Sequence, residues 1–571
     1  MKTKRLYSSI ILSMLAVVSM ALPAKRIMKT VSQPDGSTVE LRLCGDEHLH
    51  YYTLLSGEPV VKDSNGAYCL AESNGRELVS TGLQVNSMSS TKKLGRKLKN
   101  TPEDLANLRA ARMHDISYPQ RVSHTGERKG IVILAAYADC DFTFSRASMD
   151  SLMNTVDYRQ GYFSGSVHDY FAEQSNGKFS LSFDVVGPVK LSRPMAYYGE
   201  DNLFGDKHVG EMVAEAIQLA DDSVDYSQYD WDGDGTVDQV VVIYAGYGEA
   251  MGAAEETIWP QEYTLTKSDF GRKLHLDGVV LDTYACTCEL LGNENAFDGE
   301  KIITGIGPMC HEFSHCLGLP DFYDPTNSDH FTTGYWDVMD EGCYNNAEYC
   351  PAGYTAYEKW LCGWQEPIVL DKPMTVSDMK ALSQGGDFYV VYNDQYNKKT
   401  NEFYMLENRQ LSGFDYFLPG HGVLITHVNY VASDWLSNCV NTTYGKEGYA
   451  VVPANNMKEY SDSIQAGQTY PYIDNDSLTD TSTPNAIVFN VNKNFKNILQ
   501  KPITKISVDN NGVASFLFMG GGTADGIGVT VYGNRTKSEC YDLSGRLVGK
   551  GYKGFVIEKQ NDGTVKKYFR L

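Results

Sequence analysis

The segment His311-Glu312-Phe313-Ser314-His315, followed by Gly318 and Asp321, constrains this chain more than any other feature. On a helix, residues four apart stand one turn above each other, so the imidazoles of His311 and His315 point at one spot where a metal ion can sit. Gly318 suits the end of such a helix, because glycine adopts the left-handed conformation that turns the backbone, and the chain can return with Asp321 as a third ligand. A bare five-residue match of this kind arises by chance in many chains. Three further features are independent of it: the glycine three residues after His315, the acid three residues beyond, and the separate turn Gly334-Tyr335-Trp336-Asp337-Val338-Met339. Their joint presence predicts a single zinc ion held by His311, His315 and Asp321.

Zinc with three protein ligands keeps a fourth position for water and lowers that water's pKa to about 7. Glu312, next to His311, is placed to take the water's proton as general base and to return it to a leaving amine. The predicted reaction is hydrolysis of a peptide bond without a covalent intermediate. Zinc-dependent deacylation uses the same chemistry. A catalytically silent adhesin or binding protein is the competing reading, but it has no chemical need for Glu312.

With these residues in place, the pattern resembles that of metzincin peptidases. Met339 matches the methionine of the turn beneath the metal, and Asp321 stands where most metzincins have a third histidine. This variant is similar to the immune inhibitor A-like bacterial metallopeptidases. The likeness extends to Asp321-Phe322-Tyr323-Asp324, to Pro351-Ala352-Gly353-Tyr354-Thr355-Ala356-Tyr357-Glu358-Lys359-Trp360 and to Phe403-Tyr404-Met405-Leu406-Glu407-Asn408-Arg409-Gln410. It implies a secreted precursor with an N-terminal propeptide, an α/β zincin (metzincin-like) catalytic domain and a C-terminal β domain, acting on protein or peptide substrates. One position departs from the pattern. Several metzincins place a tyrosine two residues after the methionine, and here that residue is Glu341, which leaves Tyr344 as the candidate transition-state donor.

The residues themselves suggest the same organisation. A chain of 571 residues is too long for one core. Lys2, Lys4 and Arg5, an apolar run from Ile10 to Met20, and small residues for cleavage near Ala21 or Ala24 read as a signal peptide over 1–24. Alternating short strands punctuated by Pro34-Asp35-Gly36, Ser56-Gly57 and Asn65-Gly66 follow, then a basic stretch from Lys92 to Lys129 with a short helix starting at Thr101-Pro102-Glu103-Asp104; together these make 25–128 a β-rich propeptide and processing linker. Residues 129–365 alternate buried strands with helical patterns, 366–519 read as a β-sandwich, and 520–571 as a strand-rich tail suited to a sorting segment. No later stretch approaches the ~20 apolar residues of a membrane span. The net charge of −22 gives little electrostatic support for binding nucleic acid or anionic lipid.

Asp230, Asp232, Asp234 and Asp238 surround Gly235 with the spacing of a calcium loop, and their mutual repulsion favours a structural Ca2+. Position twelve is Val241, so another part of the chain must complete the shell. Cys44, in Arg42-Leu43-Cys44-Gly45-Asp46, is a candidate latency thiolate, although a buried strand cysteine is the better reading. Cys310 and Cys316 flank the histidines but face away from the metal. His48 and His50 read as surface residues of one strand, and Trp259 as packing. The twelve cysteines are too sparse to staple the fold; the spacing of Cys343 and Cys350 would close a small loop, and no connectivity is assigned.

Overall fold

The computed structural model describes residues 20–46, 49–75, 77–85, 104–105, 124–202, 205–326, 329–396 and 401–522, and in the tail 539–541, 554–559 and 565–570. The signal peptide expected over 1–24 falls outside these residues as far as position 19, and of the helix expected from Thr101 only Asp104 and Leu105, both helical, are described.

A six-stranded sheet organises the middle of the chain. Its order is Met20–Ala21, Gln261–Thr264, Thr283–Cys288, Val240–Tyr244, Gly126–Ala136, Phe179–Lys190. The last four strands run parallel to one another, whereas Gln261–Thr264 pairs antiparallel with Thr283–Cys288 and Met20–Ala21 antiparallel with Gln261–Thr264. A parallel strand covered on both faces needs a continuous apolar run, and Ile131-Val132-Ile133-Leu134 supplies one with every side chain fully buried. Helices Arg146–Asn154, Val167–Gln174 and Val209–Ala220 lie against the sheet. Ser166 and Asp169 form a capping box at the start of Val167–Gln174, which satisfies backbone donors that the helix end leaves open.

Residues 274–288 form not one continuous strand but a hairpin, Leu274–Leu276 with Val279–Leu281, followed by Thr283–Cys288. Asp277-Gly278 accounts for the difference. Both residues have positive φ, 50° and 82°, as the tight turn that joins two strands through Asp-Gly requires.

Residues 28–84 form an antiparallel six-stranded sheet whose strands are paired in chain order, with Val31, Leu41, Val60 and Leu70 in its core. Beyond residue 365, a five-stranded and a three-stranded sheet share a core that includes Val376, Tyr404, Ile425, Ile503 and Phe516. In the tail, Glu539–Tyr541, Gly554–Lys559 and Val565–Arg570 make a separate three-stranded antiparallel sheet. Cys343 and Cys350 are free thiols and close no loop. No helix among the described residues is long and apolar enough to cross a membrane.

Candidate active site

The helix Gly307–Cys316 carries His311, Glu312 and His315 and is buried over nearly its whole length. Its apolar side is fixed by Phe313, which packs against Phe171, Phe183 and Trp231. Its start touches the backbone at Cys343 so closely that a Cβ on Gly307 would meet that carbonyl oxygen at 1.8 Å. Gly318, at φ +86°, turns the chain after the helix, and Asp321 comes back beneath the two histidines.

The imidazole rings of His311 and His315 are perpendicular, with centroids 4.8 Å apart. Each ring is oriented from behind, His311 Nδ1 lying 2.7 Å from the Val338 carbonyl and His315 Nδ1 2.8 Å from the Leu319 carbonyl. A proton on Nδ1 donated to a carbonyl leaves the Nε2 lone pair for a metal. The two Nε2 atoms lie 3.2 and 3.5 Å from the same oxygen, Asp321 Oδ1. Ligands placed about 2.0–2.2 Å from a tetrahedral zinc stand about 3.3–3.6 Å from one another, so these separations fit that ion.

All three ligand atoms are buried and have no hydrogen-bond partner. Buried polar atoms are otherwise almost always paired, and a cation would satisfy these three together. Burial pulls the His315 imidazole down to about 3 against the opposing pull of Asp321, which keeps the ring neutral as a ligand must be. Burial alone would raise the Asp321 carboxyl. His315, His311 and Asn438 more than offset it and hold the group below the usual carboxylate range.

Asn438 is a residue that sequence reasoning missed. Its amide nitrogen donates to Asp321 Oδ2 at 2.6 Å and its amide oxygen accepts from the Asp321 backbone N–H at 2.8 Å. This pair of hydrogen bonds fixes the carboxylate with one oxygen toward the histidines. Asn438 lies 117 residues further along the chain, and no local pattern marks it.

Met339 is buried in the turn below the site, and its carbonyl accepts the Phe322 N–H at 2.8 Å, tying the turn to the loop that carries Asp321. Asp337 and Asp340 brace the turn by accepting the N–H groups of Met339 and of Thr333 and Gly334.

The extended stretch Met20–Lys25 runs past this site. Met20 and Ala21 pair antiparallel with Glu262 and Gln261 on the edge of the sheet. The Leu22 N–H then donates to Glu312 Oε1 at 2.9 Å, and the Leu22 carbonyl accepts from the Trp259 indole at 3.0 Å. Tyr344 donates its hydroxyl to the Pro23 carbonyl at 2.6 Å. Glu341, at the position of the expected tyrosine, is instead ion-paired with Arg26. Trp259, fully buried as a packing residue, also donates its indole N–H to this backbone.

The remaining candidates lie elsewhere. Cys44 is buried among Leu49, Tyr51 and Leu105, with its sulfur 3.5 Å from Thr53 Oγ1, and it does not join the three ligands. It stands on the face of its strand opposite Val39 and Leu41, outside the sheet core to which those two belong. Asp230, Asp232 and Asp234 converge on one another, while Asp238 stands outside that group and accepts the Trp231 N–H at 2.6 Å. Burial, and then the three neighbouring carboxylates, raise Asp238 to about 6.

Residues 153–362 match the family model described as the catalytic domain of immune inhibitor A peptidase M6. This region is similar to the M6 metallopeptidase catalytic domain. The pre-pro-metalloprotease PrtV of Vibrio cholerae serotype O1 is 30% identical over 205 residues, covering 31% of this chain and 21% of PrtV. Immune inhibitor A of Bacillus thuringiensis subsp. alesti is 28% identical over 200 residues, covering 31% of this chain and 28% of that protein. The matches therefore span less than a third of either relative's own length. His311, Glu312, His315, Asp321 and Met339 fall inside the matched residues, whereas Leu22 and Asn438 lie outside them. Metallopeptidases of this family use a metal, generally zinc.

Proposed function

We propose that this chain is the latent precursor of a secreted zinc endopeptidase, in which His311, His315 and Asp321 hold the metal and Glu312 is the general base. The observation that carries this reading is the convergence of three buried, unpartnered ligand atoms inside an M6-like region. A zinc ion bound there would supply Lewis acidity toward a peptide carbonyl and lower the pKa of a water in its fourth position to about 7.

Glu312 would act as the general base, taking a proton from the attacking water and, once protonated, giving it to the leaving amine. Asn438 keeps Asp321 in its ligating orientation. A substrate chain would add to the sheet edge at Gln261–Thr264 as Met20–Ala21 does, held mainly by backbone hydrogen bonds. Tyr344 would then donate to a carbonyl beside the scissile bond, in the role that Glu341 cannot fill.

Before signal cleavage the same contacts block the site, and in the exported precursor the ion pairs of Lys25 with Glu348 and of Arg26 with Glu341 keep the propeptide beside it. Met20–Ala24 occupies the place of a substrate, and its Leu22 N–H engages the base. Signal cleavage after Ala21 leaves Leu22–Ala24 in the cleft of the exported precursor, whereas cleavage after Ala24 removes it; the N-terminus of the secreted chain distinguishes the two. The name pre-pro-metalloprotease of the PrtV relative agrees with a precursor of this kind. In this reading 1–24 is a signal peptide, 25–128 a propeptide with its processing linker, 129–365 a metzincin-like catalytic domain with Met339 in its methionine turn, 366–519 a β-sandwich and 520–571 a sorting tail. Asp230, Asp232 and Asp234 take a structural calcium, with Asp238 in the shell behind them.

The test is casein hydrolysis by the purified chain before and after limited proteolysis within 92–129. Activity that appears on nicking and disappears with a zinc chelator supports the proposal. An inactive nicked chain that still holds its zinc would favour the silent binding protein.

A further inference from the structure

A second convergence of imidazole and carboxylate lies apart from the site above. His50 opens the strand His50–Thr53 of the N-terminal sheet, Asp201 and Asp206 stand on the paired strands Asp201–Asn202 and Gly205–Asp206, and Glu249 lies in the 3-10 turn Glu249–Met251 after the central strand Val240–Tyr244. His50 Nε2 is 3.6 Å from Glu249 Oε1 and 3.8 Å from Asp201 Oδ2. Trp259 stacks on the His50 ring at 4.8 Å and donates its backbone N–H to Asp206 Oδ2 at 2.8 Å.

Two features set this cluster apart from an ordinary ion pair. His50 Nδ1 lies 3.2 Å from the Asp46 carbonyl, which reproduces the orientation of His311 and His315: one ring nitrogen on a backbone carbonyl, the other aimed at carboxylates. Glu249 is only 3% exposed, yet its Oε2 has no hydrogen-bond partner, and neither has the buried Oδ1 of Asp206. The groups acting most strongly on Glu249 are His50 and three more carboxylates, Asp201, Asp206 and Glu255. One imidazole cannot satisfy so many acids, and an additional cation is what the unpaired oxygens lack.

We propose that His50, Asp201 and Glu249 form a second metal site, for a divalent d-block cation of the zinc class. An imidazole nitrogen beside two carboxylates suits such an ion and disfavours calcium or magnesium, which take oxygen ligands. Potential ligand atoms of all three residues lie within 4.8 Å of one another, and the exposed carboxylate of Asp201 leaves a side open for entry and for water. Because His50 belongs to the N-terminal sheet and the acids to the M6-like region, the ion would clasp one to the other. Removing the N-terminal sheet would delete the nitrogen ligand and release the ion.

The proposal is independent of the peptidase reading, and its test can be made so. The full chain carrying His311→Ala and His315→Ala is equilibrated with zinc in excess calcium, which fills oxygen-only sites, and its zinc content and thermal melting are measured. The expected result is one zinc per chain and a zinc-dependent rise in melting temperature. Adding His50→Ala or, separately, the near-isosteric Glu249→Gln should weaken zinc binding by about tenfold or more and abolish the rise. A chain without zinc in the His311→Ala, His315→Ala background, or unchanged binding in folded Glu249→Gln, would overturn the proposal.

Discussion

At the scale of single residues, the site divides into what a helix encodes locally and what only the folded chain assembles. His311, Glu312 and His315 are legible because spacing along a helix fixes which side chains share a face. Asp321 is legible because Gly318 announces the turn. Asn438 is not, since its role depends on a contact across 117 positions. Replacing Asn438 with Ala should lower zinc affinity by about 10- to 100-fold, measured by chelator competition, because the ligand carboxylate loses the group that orients it. Tyr344→Phe should reduce kcat of the nicked enzyme by about 10²-fold with zinc content unchanged, if its hydroxyl stabilises the transition state. An undiminished kcat would remove Tyr344 from the mechanism.

At the scale of elements, the loop after Asp321 is pinned by a buried triad in which His330 meets Asp324 at 2.7 Å and Glu447 at 3.0 Å. Burial would depress His330, but its hydrogen bonds to Asp324 and Glu447 outweigh it and raise the imidazole to about 9. Burial likewise opposes ionisation of Glu447, while His330 holds it down to about 2. The histidine's contribution to stability is complete below its unfolded pKa of about 6.5 and is lost as pH rises through about 9. The glutamate's contribution is complete above 4.5 and is lost as pH falls through about 2. The destabilisation caused by His330→Gln should therefore be largest near pH 5–6 and shrink toward pH 10 in urea melts, and a pH-independent difference would contradict the ion-paired triad. The alternation of strands and helices over 129–365 was readable from apolar runs and helical patterns, and in the structure Ser166 and Thr355 cap two of those helices. The hairpin at Asp277-Gly278 was not, because its two strands are only three residues each and give no periodicity of their own.

At the scale of the whole molecule, the boundary near residue 365 marks a change of pattern and not a separable part. Arg409, fully buried in the strand Asn401–Arg409, pairs with Glu407 and Asp415 and donates to the carbonyls of Trp336 and Gly353. Asn438 reaches Asp321 from the same side of the boundary. Composition and strand patterning cannot reveal such links, because they reside in side-chain contacts between distant segments. Arg409→Ala should destabilise the chain by about 3–5 kcal/mol in denaturant unfolding, since it leaves buried acids without their partner. A fragment ending at 365 should be insoluble or bind zinc weakly.

The central claim is that one metal site with Glu312 as its base performs the hydrolysis. It is tested most directly by comparing nicked wild-type chain with nicked Glu312→Ala, measuring peptide hydrolysis and bound zinc in the same samples. The account predicts equal zinc and a fall in kcat of at least about 10²-fold in the variant. Full activity in Glu312→Ala, or loss of its zinc, would contradict the role assigned to that residue.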